Sequence, residues 1–146
     1  MKQMLKAAGR VDFAMFTFAQ SSGIDDAMRR LARAGLPIRG VLDRGQGAQK
    51  WAATAGLQTD GVRLFTNKAG TGVRKIHHKL MVVDDRLLIV GSFNYTEPAT
   101  TLNDENIVVI GDLEETDPAA QADQQQLAPF ARTEIDRIIT DLAQPV

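Results

Sequence analysis

The chain has only two histidines, His77 and His78, and both lie in one stretch, "KIHHKLMVVDDRLLIVGSFNYT", from Lys75 to Thr96. On an extended strand, residues two apart share a face. His77 and Lys79 then project together, and His78 points the other way. Ser92 and Asn94 form a second pair two apart. If the two strands are neighbours, one small area holds an imidazole, an ammonium, a hydroxyl and a carboxamide. That set suits a tetrahedral oxyanion: Lys79 supplies charge, Ser92 and Asn94 supply neutral donors, and His77 can attack or transfer a proton. Asp84 and Glu105 are carboxylates able to orient an imidazole or hold a turn. Each fragment alone has a bland reading. His-x-Lys can be a solvated strand start, Gly91-Ser92-x-Asn94 a turn, and Asp84-Asp85 a hairpin turn. Their combination is what is specific.

The elements that must position these residues are legible in outline. "RVDFAMFTFA" (Arg10–Ala19) is apolar and aromatic and predicts a buried strand. Ser21, Ser22 and Gly23 mark a turn, Asp25 or Asp26 is a candidate cap, and a helical spacing follows to Gly35. "PIRGVLD" (Pro37–Asp43) predicts the next strand, completing a strand–helix–strand unit of an α/β fold. Residues 46–56 read as helical and Gly61–Asn67 as a third strand. The loop Lys68–Lys75 is basic; its glycines Gly70 and Gly72 are too few to indicate a phosphate cradle. The quoted stretch reads as two strands around Asp84-Asp85-Arg86, and Glu105–Gly111 as another strand. A helix is expected from Asp117 to Leu142, broken at Pro129.

Bulk properties set limits. The chain has 146 residues, enough for one domain with a core. A hydrophobic content of 44% and a charged content of 24% are ordinary for a globular protein. The net charge is −1, so an anionic ligand must be held by a local basic patch. Cysteine is absent, which excludes disulfides and thiolate metal sites and fits a reducing compartment. No apolar run approaches the ~20 residues of a membrane helix. No signal peptide is evident, because Arg10 and Asp12 interrupt the only candidate apolar region. The expected location is cytoplasmic, or periplasmic or secreted if a leader has been removed.

His77-x-Lys79, then Asp84, then Gly91-Ser92-x-Asn94 resembles the HKD signature of the phospholipase D superfamily, with every defining position at the right spacing. "NDENIVVI" (Asn103–Ile110) is similar to the acidic residue and strand downstream of that motif. The strand–helix–strand from Phe13 to Asp43 is similar to the unit that leads into an HKD domain. The resemblance covers about residues 10 to 111. It implies an α/β fold with a mixed sheet flanked by helices, here one phospholipase D-like domain over residues 1–146, shortened at its start relative to single-motif members.

The resemblance also implies a phosphodiesterase that works without metal or other cofactor. The motif histidine attacks phosphorus to form a phosphohistidine, and a second HKD histidine protonates the leaving oxygen and then activates water. The candidate catalytic set is therefore His77, Lys79, Asp84 and Glu105. Lys79, Ser92 and Asn94 would bind phosphate oxygens. Glu105 would orient the imidazole from behind, and Asp84 would hold the loop without touching substrate. His78 is not a motif position and is expected to pack or sit at the rim. One site needs two motifs and this chain has one, so the second comes from a homodimer partner, as in the small single-motif endonucleases of the family, or from a second HKD domain, this chain then being the C-terminal half of a longer two-motif enzyme. The size favours nucleic acid, DNA or RNA, as substrate; phospholipid is the alternative. Arg44, Lys50, Lys68, Arg74 and Lys75 could ring the site or be dispersed surface charges. Trp51 and Phe65 could stack on bases but are expected in the core.

Overall fold

The computed structural model describes residues 1–146. Seven strands form one mixed sheet in the order β6-β5-β4-β1-β2-β3-β7. The centre is β1 (Val11–Met15), parallel to β2 (Ile38–Leu42), which is parallel to β3 (Arg63–Asn67). On the other side β4 (Lys79–Val83), β5 (Leu87–Gly91) and β6 (Ile107–Ile110) form an antiparallel meander, with β4 antiparallel to β1. The far edge is β7 (Ala143–Pro145), antiparallel to β3.

The sheet forms where the sequence is apolar without alternation, because its central strands are covered on both faces. All five residues of β1 are buried. Val11, Phe13 and Met15 face a core completed by α1 (Ile24–Arg33) and α3 (Thr54–Thr59). Ala14, Val41, Leu80 and Val82 face α5 (Pro118–Arg137), whose Ala128 and Ile135 are buried against them. The one charge on β1, Asp12, is fully buried and is paired with both Arg10 and Arg39. A buried carboxylate needs such partners to stay ionised.

Three expectations are corrected. The helix over 46–56 is two short ones, α2 (Arg44–Gly47) and α3. Between them the backbone pairs with the segment after β1: Ala53 N donates to Phe18 O at 2.9 Å and Gln20 N to Trp51 O at 3.1 Å. Those tertiary bonds outcompete a continuous helix. Pro129 does not break α5, which runs through it; burial of Ala128 and Ile135 on the sheet offsets the one lost backbone bond. The helix then widens into a π turn over Ile138–Leu142 and delivers β7, a three-residue strand with no apolar pattern to announce it. Asp25 and Asp26 do not cap α1; Ser22 Oγ accepts from Ile24 N at 3.2 Å instead.

At the edge, Ile107, Val108, Val109 and Ile110 of β6 are all exposed. Beside them runs the largest cavity, about 480 Å³, lined mainly by apolar side chains including Met4, Met81, Ile89 and Phe93.

Candidate active site

The topology brings the chemistry to one end of the sheet. The strands β1, β2, β3 and β5 end there, and β4 and β6 begin there. This places His77 and Lys79 beside Gly91, Ser92 and Asn94, which together line an open cavity of about 370 Å³. Loops outside the carboxyl ends of parallel strands are where α/β sheets build sites.

His77 is exposed and held from two sides. Its ring packs on Phe16 with centroids 4.5 Å apart and planes 47° apart. Lys79 Nζ lies 3.4 Å from His77 Nδ1 and 3.5 Å from Nε2, and donates to the His77 carbonyl at 3.1 Å. The ammonium in turn sits 5.1 Å from the Phe16 ring centroid, and Lys75 Nζ sits 5.7 Å from it. Placing a cation beside an imidazole disfavours imidazolium. Lys79 is the main reason that His77 titrates below the usual histidine range, with burial and Lys75 adding to the effect and Asp43 opposing it. The ring is therefore neutral over a wider range of acid pH. Burial also lowers the Lys79 ammonium, with Glu105 opposing.

Asp43 and Asn67, two buried polar residues, organise the floor. Asp43 accepts from Gly45 N and Gln46 N at 3.0 Å and from Ile76 N at 3.1 Å, one residue before His77. Asn67 Oδ1 accepts from Arg44 N at 2.8 Å. Neither residue, nor Phe16, was singled out for the site from sequence. The available signal was a polar residue closing an otherwise apolar strand.

Ser92 and Glu105 meet directly. Ser92 Oγ donates to Glu105 Oε2 and accepts from Asn106 N at 3.1 Å, and Asn103 Nδ2 donates to Glu105 Oε1 at 3.1 Å. These donors hold the Glu105 carboxylate below its usual range. The expectation that Glu105 orients the His77 imidazole is corrected: its hydrogen bonds go to Ser92 and Asn103. Asn94 Oδ1 is buried and has no partner within the chain.

Asp84 is not at the site. It lies at the opposite end of β4, where its carboxylate accepts from Ala8 N at 2.8 Å and from Gly9 N and Arg10 N at 2.7 Å. Asp84 and Asp85 form the hairpin turn with φ of 54° and 52°, the conformation that a tight hairpin selects and that Asp tolerates. His78 faces α5, with Nε2 3.4 Å from a Glu134 carboxylate oxygen. Phe65 is half-buried against the core, as expected, but Trp51 is 45% exposed. Its segment is pinned at the surface by the bonds to Phe18 and Gln20.

At the end away from the site, Arg10, Arg39 and Arg132 are paired with Asp12, Asp136 and Asp85. At the site end, Arg44, Lys50, Lys68, Arg74 and Lys75 follow β2 or β3 or precede His77, and none is in an ion pair with a carboxylate. No group of three or more His, Cys, Asp or Glu side chains gathers to hold a metal ion.

The family model for the cardiolipin synthase, phospholipase D-like domain matches residues 1–126. The chain belongs to the phospholipase D superfamily. It is 35% identical over 105 residues to a mitochondrial cardiolipin hydrolase of Chlamydomonas reinhardtii, a match covering 68% of this chain and 43% of that protein. The mitochondrial cardiolipin hydrolase of Homo sapiens is 32% identical over 111 residues, covering 72% and 40%. The matched region thus spans about two fifths of the length of these relatives. Among solved structures, Nuc of Salmonella typhimurium, a phospholipase D family member, superposes with a TM-score of 0.77 at 21% identity, covering 99% of this chain and 86% of that one. NucT from Helicobacter pylori gives 0.72 at 19% identity, covering 97% and 85%. Those two likenesses establish the fold.

Proposed function

We propose that this chain hydrolyses phosphodiester bonds of nucleic acid without a metal ion, with His77 as the nucleophile. The observation that carries this reading is an exposed imidazole beside the Lys79 ammonium, in an open polar cavity at the end of the sheet where Arg44, Lys50, Lys68, Arg74 and Lys75 are free of ion pairs. An imidazole nitrogen of His77 attacks phosphorus and the bond to the leaving oxygen breaks, giving a phosphohistidine. Lys79 offsets charge on the phosphoryl oxygens, and the Asn94 carboxamide binds there. The Ser92 hydroxyl is engaged by Glu105, so Ser92 acts mainly by holding Glu105 near Lys79. A second imidazole, from a partner copy of this chain or another HKD domain, protonates the leaving oxygen. It then takes a proton from water, whose oxygen displaces His77 from phosphorus.

A second reading, hydrolysis of a phospholipid diester, is favoured by one observation. The apolar cavity of about 480 Å³ shares Ile89, Phe93, Tyr95 and Ile107 with a narrow cleft that reaches Lys79 and Gly91. The named activity of the cardiolipin hydrolase relatives points the same way. The test is incubation with single-stranded DNA, duplex DNA, RNA and cardiolipin micelles in excess EDTA, with His77→Ala alongside. Cleavage of nucleic acid that requires His77 is expected. Turnover of cardiolipin alone would move the assignment to the lipid, and activity surviving in His77→Ala would remove it altogether.

A further inference from the structure

A second cleft, of about 320 Å³, opens beside the catalytic cavity, with Trp51, Thr17, Gln46 and Thr96 among its walls. The backbone between β1 and α1 forms its floor and fixes both flanks. On one side Gln20 N bonds to Trp51 O at 3.1 Å and Gln20 Nε2 to Ala52 O at 3.0 Å. On the other, Tyr95 N bonds to Thr17 O at 3.0 Å and Ala19 N to Tyr95 O at 2.8 Å. The indole is 45% exposed on a backbone held by these hydrogen bonds. Thr17 Oγ1 donates to Gln46 Oε1 at 3.4 Å, which leaves the Gln46 amide hydrogens as donors. Thr17 directly follows Phe16, the ring under His77, and Thr96 lies two residues after Asn94. The cleft therefore adjoins the catalytic cavity on both of its walls.

We propose that this cleft receives one unstacked base of a single-stranded nucleic acid, next to the phosphate being cleaved. The proposal rests on the nuclease reading and extends it to strand preference. An exposed aromatic ring is the usual platform for a base, since every base has a stackable face. The volume is at the small end of ligand cavities, room for one planar heterocycle. Arg44 and Lys50, both without an ion pair, neighbour Gln46 and Trp51 in the chain and supply positive charge for the backbone; Glu97, beside Thr96, is the opposing charge. An acyl chain would leave the Gln46 amide hydrogens and the Ser21 hydroxyl unpartnered, at a cost in free energy. A base within a duplex is stacked and paired, and reaches such a cleft only after extrusion.

Trp51 is the single tryptophan, so intrinsic fluorescence reports on this cleft alone. The full chain carrying His77→Ala is titrated with a short single-stranded oligonucleotide, its duplex, an abasic oligomer of equal phosphate count, and phosphatidylglycerol vesicles. The single strand is expected to quench the indole, with the abasic oligomer and the duplex leaving it little changed. Anisotropy of a labelled strand should show about tenfold weaker binding when Trp51→Ala is added, within the range for loss of one stacked base, and near-recovery in Trp51→Phe. Equal quenching by the abasic oligomer, unchanged affinity in Trp51→Ala, or a blue shift with vesicles would overturn the proposal. Cleavage of the oligonucleotide by the His77-intact chain, without any indole response, would overturn the base cleft and spare the nuclease reading. Absence of both would overturn the two together.

Discussion

At the residue scale, the pair His77 and Lys79 gives the clearest pH behaviour. A neighbouring ammonium lowers the imidazole pKa, so His77 stays neutral, and nucleophilic, further into the acid range. Replacing Lys79 with Met removes the largest cause. The His77 midpoint should then rise toward the ordinary value of about 6.5, and the acid limb of any pH–rate profile should move to higher pH. A titration of the two imidazole resonances by NMR reads this directly, and an unmoved His77 midpoint would exclude Lys79 as the cause. Asp84 belongs to the same sequence signature but predicts a different phenotype. Its carboxylate closes three backbone amides, so Asp84→Ala should lower stability by about 1–3 kcal/mol, read as a lower midpoint in urea. The His77 titration should stay in place, because Asp84 lies at the far end of β4.

At the element scale, β2 shows how the sheet is fitted together. Gly40 faces Phe13 across the parallel pair, and a Cβ at Gly40 would lie 2.1 Å from the Phe13 ring. The aromatic ring thus occupies the space that a side chain would need. Gly40→Ala should cost roughly 1–3 kcal/mol from overpacking, seen as a lower melting temperature, and adding Phe13→Leu should recover part of it. If the single change were neutral, the packing of β1 on β2 would be looser than described. Directly after the same strand comes Asp43, whose side chain accepts from Ile76 N. The position of the histidine strand is thereby set from β2, two strands away in the sheet.

At the scale of the whole molecule, one HKD pattern supplies one imidazole, and the proposed chemistry needs two. If a second copy of this chain provides the other, inactive chains should poison active ones. Mixing wild type with a ninefold excess of His77→Ala chain, after exchange, should lower activity per wild-type chain roughly tenfold, because only about one partner in ten then carries the imidazole. Undiminished activity would show that each chain works without an identical partner. Sedimentation of the same mixtures establishes whether pairs form at all.

The sequence by itself determined the local facts. Period-two spacing put His77 and Lys79 on one face, apolar runs located the six longer strands, and the turn chemistry of Asp84-Asp85 set the hairpin. These follow from the bonding and sterics of neighbouring residues, which any window of the chain contains. The family signature, also local, was legible for the same reason. Only the tertiary structure decided where long-range bonds go. It gave the Glu105 carboxylate to Ser92 and Asn103 instead of the imidazole, and left Asp84 at the far end of the sheet. It split the helix over 46–56 so that Trp51 faces solvent, carried α5 through Pro129, and added β7. It also left Arg44, Lys50, Lys68, Arg74 and Lys75 at the site end without an ion pair. Each of these depends on which distant groups meet, and the physical reason is that hydrogen bonds and burial are satisfied by whatever the fold brings near, not by what lies next along the chain.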